Sequence, residues 1–296
     1  MGKASRRRRG SDTASRQSRP KPAPFERRPF EGLEGETDWV ALREILPAAT
    51  ATVTVRHGHV PDGAPSEVTV ATVLPMAWPG LHRADGAVLI GTQSGNASGD
   101  ASRDLAAQLL ASLAAEEGHP VVTTPQVTAD SPRLQDLLVE GTGFDVTVHE
   151  GFDYWIADVE DKADMAAALE QANASASPTA RLASVEAAYW TSMGAKEHLR
   201  WVMPEPEDRL LDALARLHAA GQDELAPGSR FVGMFRAHGL LAPVWDLTPG
   251  TGAEVLEEPA AAFATALADA LADGSDLTPE QRAARSGLAN RQVTIR

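Results

Sequence analysis

The sequence predicts an α+β protein in which an antiparallel or mixed sheet is covered by amphipathic helices. Three observations predict it. Segments 101–117, 207–220 and 259–273 carry apolar stripes at helical spacing, Leu105/Leu109/Leu113, Leu210/Leu214/Leu217 and Phe263/Leu267/Leu271, each bounded by cap signals. Between them lie alternating, β-branched runs such as TATVTV (50–55) and EVTVATVL (67–74). Residues 230–247 read as strand, tight turn at His238-Gly239, and strand.

Taken in order, Asp38 is the expected N-cap of a short helix closed by Pro47, and strands follow at 50–55 and 67–74 around a Gly- and Pro-containing loop, 56–65. GAVLIGT (86–92) is a third strand, and the loop SGNASGD (94–100) leads into a helix capped by Asp100 and ended by Gly118. Residues 119–131 lack periodicity and read as a linker, 132–139 as a short helix, and FDVTVH (144–149) as a strand entering the turn EGFDYW (150–155). An Ala-rich helix is expected at 162–174. A second, at 181–191, places Leu182, Val185 and Tyr189 inward. EHLRWVM (197–203) is a strand, and the 207–220 helix starts after Pro206 and ends at Gly221. After the hairpin, TPGTGAE (248–254) leads to the 259–273 helix, with Glu257, Glu258 and Pro259 at its positive end and Gly274 beyond it. A short helix from Pro279 and a β-like end at 290–296 complete the chain.

A helix, strands, a Gly-rich loop and an Ala/Leu helix occur at 38–117 and again at 181–273, a pattern compatible with weak internal duplication. The halves would be 37–118 and 144–275, with 119–131 between them. Chance similarity in an Ala-rich chain competes with that reading.

Charge is unevenly spread. The chain has 27 basic and 41 acidic residues; ten basic and two acidic ones fall in residues 1–28, leaving 17 and 39 beyond, a balance of -22. Residues 1–36 have too few apolar anchors to offset their ordering entropy, so they are expected as a disordered basic tail ahead of an α+β body, 37–296. Phe25 and Phe30, each beside a proline, are the candidates to dock its end.

With no cysteine in the chain, disulfides, thiolate catalysis and cysteine-based zinc sites are excluded. No apolar run approaches the roughly 18 residues of a membrane-spanning helix. Ser5-Arg6-Arg7 is not followed by the hydrophobic segment that a twin-arginine export signal requires, so the cytoplasm is expected.

Candidate chemistry is sparse. The loop 94–100 stands where a helix N-terminus attracts anions, but it matches no nucleotide-binding pattern, and Asp100 adds negative charge there. The loop 248–254 has the same ambiguity, with Asp246 and Glu254 beside it. His149, Glu150 and Asp153 gather a base and two carboxylates beside Phe152, Tyr154 and Trp155, a set suited to acid–base work or to metal binding. A packed aromatic turn with a polar rim explains the same residues. No second His-carboxylate spacing completes a metal set, so no metal or cofactor is implied.

FEGLEGETDWVALREILPAATATVTV (30–55), VATVLPMAWPGLHR (70–83), DVTVHEGFDYW (145–155), ASVEAAYW (183–190), EHLRWVMPEPEDRLLDALARLHAAG (197–221), FRAHGLLAPVWDL (235–247) and RQVTIR (291–296) resemble a single uncharacterised actinobacterial family of unknown function. The resemblance implies a cytoplasmic bacterial protein and supplies no activity and no catalytic residues. Some members carry a label linking them to the preprotein-translocase ATPase. This chain has neither the phosphate-binding lysine loop nor the cysteine-rich tail that such an ATPase would need.

The function expected from the sequence is thus non-catalytic. The arginine-rich tail, through Lys3, Arg6, Arg7, Arg8, Arg9, Arg16 and Arg19, contacts an anionic partner such as RNA. The alternative is an enzyme or small-ligand binder with a cleft near 149–155 and the loops 94–100 and 248–254.

Overall fold

The computed structural model describes residues 21–95, 97–159 and 163–294. Within them the chain forms two six-stranded sheets and seven α-helices. The first sheet contains β1 (Ala49–Thr54), β2 (Glu67–Ala71), β3 (Gly80–His82), β4 (Val88–Gly91), β5 (His119–Val121) and β6 (Thr147–Val148), in the order β5-β3-β4-β2-β1-β6. Helices α1 (Glu36–Glu44), α2 (Ala101–Leu113) and α3 (Leu134–Leu137) belong to this half, and α4 (Ala163–Asn173) connects it to the next. The second sheet contains β7 (Thr179–Arg181), β8 (Ala188–Met193), β9 (Lys196–Trp201), β10 (Arg230–Ala237), β11 (Leu240–Leu247) and β12 (Gln292–Thr294), in the order β12-β10-β11-β9-β8-β7. With it go α5 (Glu207–Ala219), α6 (Glu257–Ala272) and α7 (Pro279–Ala289).

Burial follows the stripes. Leu105, Leu109 and Leu113 of α2 pack on Val68, Val70 and Ile90 of the first sheet. Leu210, Leu214 and Leu217 of α5, with Phe263 and Leu267 of α6, cover Leu199, Trp201, Leu241 and Trp245 on one face of the second sheet. The opposite face of that sheet contributes Tyr189, Val202, Ala237, Leu240 and Ala242 to the same core as Trp39, Val40 and Leu42 of α1. Helix α1 therefore lies between the two sheets and holds the halves together.

The halves share a spatial strand order, β3-β4-β2-β1 in one and β10-β11-β9-β8 in the other, but not strand direction. β2 and β4 pair parallel, whereas β9 and β11 pair antiparallel. The cause is the connection. The 13-residue helix α5 carries the chain back along the sheet, so β10 runs in the same direction as β9. In the first half a short 3₁₀ turn, Pro75–Ala77, stands in its place and β3 doubles back on β2.

Four expectations need correction. The 181–191 helix does not form: Ala188–Met193 is the strand β8, paired with β7 and β9. The spacing of Leu182, Val185 and Tyr189 mimics a helix, but Ala187 in the left-handed region (φ 49°) breaks the segment, and pairing with β9 overrides alanine propensity. The 119–131 stretch contains the edge strand β5, paired with β3. The body also begins before residue 37. Pro22 bridges Thr128, the Glu26 amide donates to the Gly99 carbonyl at 2.9 Å, and Arg28 pairs with Glu36 through both Nε (2.6 Å) and Nη2 (2.8 Å). Phe30 is the anchor, fully buried and stacked on Trp39 at 5.8 Å, while Phe25 stays 81% exposed. Residues 1–20 lie outside the described residues. Helix α1 starts at Glu36 behind Gly35, whose φ is 68°, so Asp38 is not its cap.

Candidate functional site

The site is built where α1 ends between the sheets. A cleft of about 780 Å³ opens there, walled by residues 25–27 and 29, residues 94, 95, 97 and 99, the last turn of α1 and the tip of the β10–β11 hairpin. Both tip residues are left-handed, His238 at φ 47° and Gly239 at φ 82°, as a two-residue hairpin turn requires. Non-glycine residues are uncommon in that region, although histidine is among those that enter it more readily. A Cβ at Gly239 would meet the Arg27 carbonyl at 2.8 Å, so the tip fits closely beneath the N-terminal segment.

Contacts explain why His238 is held there. Its Nε2 lies 2.8 Å from Glu44 Oε1, and its ring stands 5.2 Å from that of Phe30. Burial pushes the Glu44 carboxyl up, but the His238 hydrogen bond and the charges of His238 and Arg43 outweigh it and hold the group below its usual range. Arg43 donates from Nη1 to the Thr92 carbonyl at 2.6 Å. Across the cleft, Arg236 and Arg27 both engage Glu207, the latter at 2.9 Å. Asp104, on α2, is pushed up by burial while the Ser98 amide, donating at 3.0 Å, opposes the shift.

The backbone anion sites suggested by the loops hold the chain's own carboxylates. Asp100 accepts from the amides of Ser102 (3.1 Å) and Arg103 (3.2 Å) at the head of α2 and is paired with Arg103 Nε at 3.1 Å. In the 248–254 loop, the Gly250 and Gly252 amides donate to Glu197 at 2.6 and 3.0 Å, and Trp190 Nε1 adds a third bond at 2.8 Å. Likewise Glu257 takes the amides of Ala183 and Ser184 at 2.8–3.1 Å.

The 149–155 turn lies apart from this cleft, on the outer face of the first sheet. Tyr154 Oη and Trp155 Nε1 both donate to the Val73 carbonyl, at 2.9 and 2.8 Å, and Phe152 stacks on Trp155 at 4.5 Å. The Tyr154 and Trp155 rings pack against Leu74 and Leu89. His149 Nε2 meets Thr50 Oγ1 at 2.8 Å, and burial lowers its pKa while Asp153 opposes that. Glu150 and Asp153 are exposed, and among the described residues neither forms a hydrogen bond or ion pair with His149. Among the described residues, no cluster of three or more histidine and carboxylate side chains could hold a metal ion. Of the predicted polyanion-binding residues, Lys3, Arg6, Arg7, Arg8, Arg9, Arg16 and Arg19 all lie outside the described residues.

Sequence reasoning reads His238 as a plain turn residue and passes over Glu44 and Arg43. Only the docking of α1 onto the second sheet brings those three together.

No curated protein and no solved structure matches the chain. The model of a family of unknown function (DUF5926) matches residues 29–296. That span takes in both sheets and the cleft from Pro29 onward, with the arginine-rich segment before it, and the chain belongs to this family of unknown function.

Proposed function

We propose that the protein is a non-catalytic, cytoplasmic binding protein whose N-terminal arm, through Lys3, Arg6, Arg7, Arg8, Arg9, Arg16 and Arg19, holds a polyanion such as RNA. The observation that carries this is charge separation. Residues 1–20 have seven basic groups against Asp12, whereas the rest of the chain has 20 basic and 40 acidic residues. Arginine suits phosphate because its planar fork donates two parallel hydrogen bonds. The body competes poorly for such a partner: Arg28, Arg181, Arg236 and Arg285 are engaged by Glu36, Asp38, Glu207 and Asp212. No aromatic residue occurs in residues 1–20, so base stacking does not contribute there and binding is insensitive to sequence. No helix among the described residues is long and apolar enough to cross a membrane.

Fluorescence anisotropy with labelled single-stranded RNA tests the proposal. Affinity should fall steeply with salt, by about 0.7 in log–log slope per phosphate neutralised. Replacing Arg6, Arg7, Arg8 and Arg9 by serine in the full chain should weaken binding and flatten that slope. Equal affinity of the two proteins defeats the proposal. Truncation at Phe30 is the wrong control, because it removes the Arg28–Glu36 and Arg27–Glu207 pairs that fasten the segment to the body.

A second reading, a small-ligand binder, is favoured by the 780 Å³ cleft, which lies within the usual range of ligand sites. It moves the ligand from the 149–155 turn to His238, Glu44 and the loop 94–99. Native mass spectrometry of the protein purified from its own cells should then show a bound small molecule that is lost in His238→Gly. A mass equal to that of the bare chain defeats this reading.

A further inference from the structure

Strand β9 alternates: Leu199 and Trp201 face the helices, while His198, Arg200 and Val202 face the other way. Val202 enters the core between the sheets, so Arg200, one step earlier on the same face, sits where that core ends. In register it lies between Tyr189 of β8 and Val244 of β11. Its Nη2 reaches only Met193 Sδ, at 3.1 Å, a weak acceptor, and its Nε is buried with no partner. Among the described residues no carboxylate pairs with it, and burial lowers its pKa. Arg200 is half-buried and its Nη2 contact is open to solvent, so it is the buried Nε that has neither water nor an oxygen acceptor, a state native structures rarely leave.

Facing it across a gap is Arg43, in the last turn of α1. Its Nε is also buried without a hydrogen bond; the nearest carboxylate oxygen, on Glu44, is 3.5 Å away. The gap is a cleft of about 240 Å³, with Gln93, Ser177 and Thr191 adding polar groups to the two arginines. Glu44 also borders it, with its carboxylate Oε1 engaged by His238 Nε2 at 2.8 Å.

We propose that this cleft, between the end of α1 and the β8–β9 hairpin, binds the oxyanion group, phosphate or carboxylate, of a small molecule, with Arg200 and Arg43 as its two cationic ligands. The volume is below the common range of about 300–1,000 Å³ for whole-ligand sites, which suits a small anion or the anionic end of a larger molecule. The site is independent of the N-terminal arm and goes beyond the polyanion reading.

The arginine Nε–Hε signals of the full-length, isotopically labelled protein provide the test, because they separate these two residues from the arm. Inorganic phosphate is titrated in one arm of the experiment and succinate in the other, with chloride holding ionic strength constant. Saturable shifts of the Arg200 and Arg43 signals in either arm are expected, and the arm that saturates first identifies the preferred oxyanion. Arg200→Lys keeps the charge and loses the fork, and should weaken the interaction at least tenfold. Arg43→Lys, read at Arg200, carries the same expectation should the first variant fold poorly. Shifts that never saturate, or folded variants that saturate like the wild type, overturn the proposal.

Discussion

Asp38 and Tyr189 stand 151 residues apart in sequence and share a buried hydrogen bond of 2.5 Å, which ties helix α1 to the second sheet. Arg181 holds the other carboxylate oxygen at 2.8 Å. Tyr189→Phe removes a bond to a charged acceptor and should cost about 1.5–3 kcal/mol in urea denaturation. A loss under about 0.5 kcal/mol, the range of neutral surface changes, would show that the halves do not depend on this contact.

The same pair sets a pH dependence. Burial raises the Asp38 carboxyl above its usual range, with Tyr189 and Arg181 opposing. A raised folded pKa means that the folded chain holds the proton more tightly than the unfolded one. This contribution to stability is complete below the usual carboxylate range and is lost as pH rises through the raised value. Asp38→Asn should therefore make the urea midpoint less dependent on pH across that window. An unchanged slope contradicts the assignment.

Glu197 should behave in the opposite sense. Burial alone would raise it, but the Gly252 and Gly250 amides and the Trp190 indole hold it below its usual range. Its stabilisation is present above that range and is lost as pH falls through the depressed value. Glu197→Ala leaves three donors without their acceptor and should cost about 1–3 kcal/mol. Limited proteolysis should then cut the 248–254 loop faster than in the wild type; identical digestion patterns would refute the role of the carboxylate.

The helical stripes make a plain test of the cores. Leu109 is fully buried and Leu267 is 5% exposed, so each change to alanine should cost about 2–5 kcal/mol. Losses below about 0.5 kcal/mol at both positions are incompatible with this packing.

At the 149–155 turn, Trp155→Ala removes a stacked ring and a hydrogen bond and should destabilise by at least about 2 kcal/mol. Glu150→Gln and Asp153→Asn should stay within about 0.5 kcal/mol, because both side chains are exposed. A ligand or metal lost on His149→Ala, with the fold intact, would instead make the turn a binding site.

The stripes of α2, α5 and α6 were legible because spacing and cap residues act locally. Asp100 does accept the first amides of α2, and His238-Gly239 does turn the hairpin. Strand β8 was hidden because its fate rests on β9 and the left-handed Ala187, not on its own alanines. Arg200 shows a different limit. On an alternating strand an arginine reads as solvent-facing, and only the placement of the end of α1 beside that face makes Arg200 line a cleft with its Nε buried. Asp38 reads as a cap for the same reason: its partners, Tyr189 and Arg181, lie on the far half of the chain.

The docking of residues 21–28 also has a mechanical consequence. A load applied through residue 20 meets fastenings in series: the Lys21 carbonyl on the Ala129 amide (3.0 Å), then Glu26 on Gly99, then the Arg28–Glu36 fork. Single backbone bonds taken one at a time yield more easily than a bidentate ion pair wedged beside a hairpin tip. We predict that pulling on the N-terminus peels a short strap at low force and stalls at Arg28 before either sheet opens. The strap would shield the cores from tension, and a force–extension trace that opens the body in one step from residue 21 would rule this out.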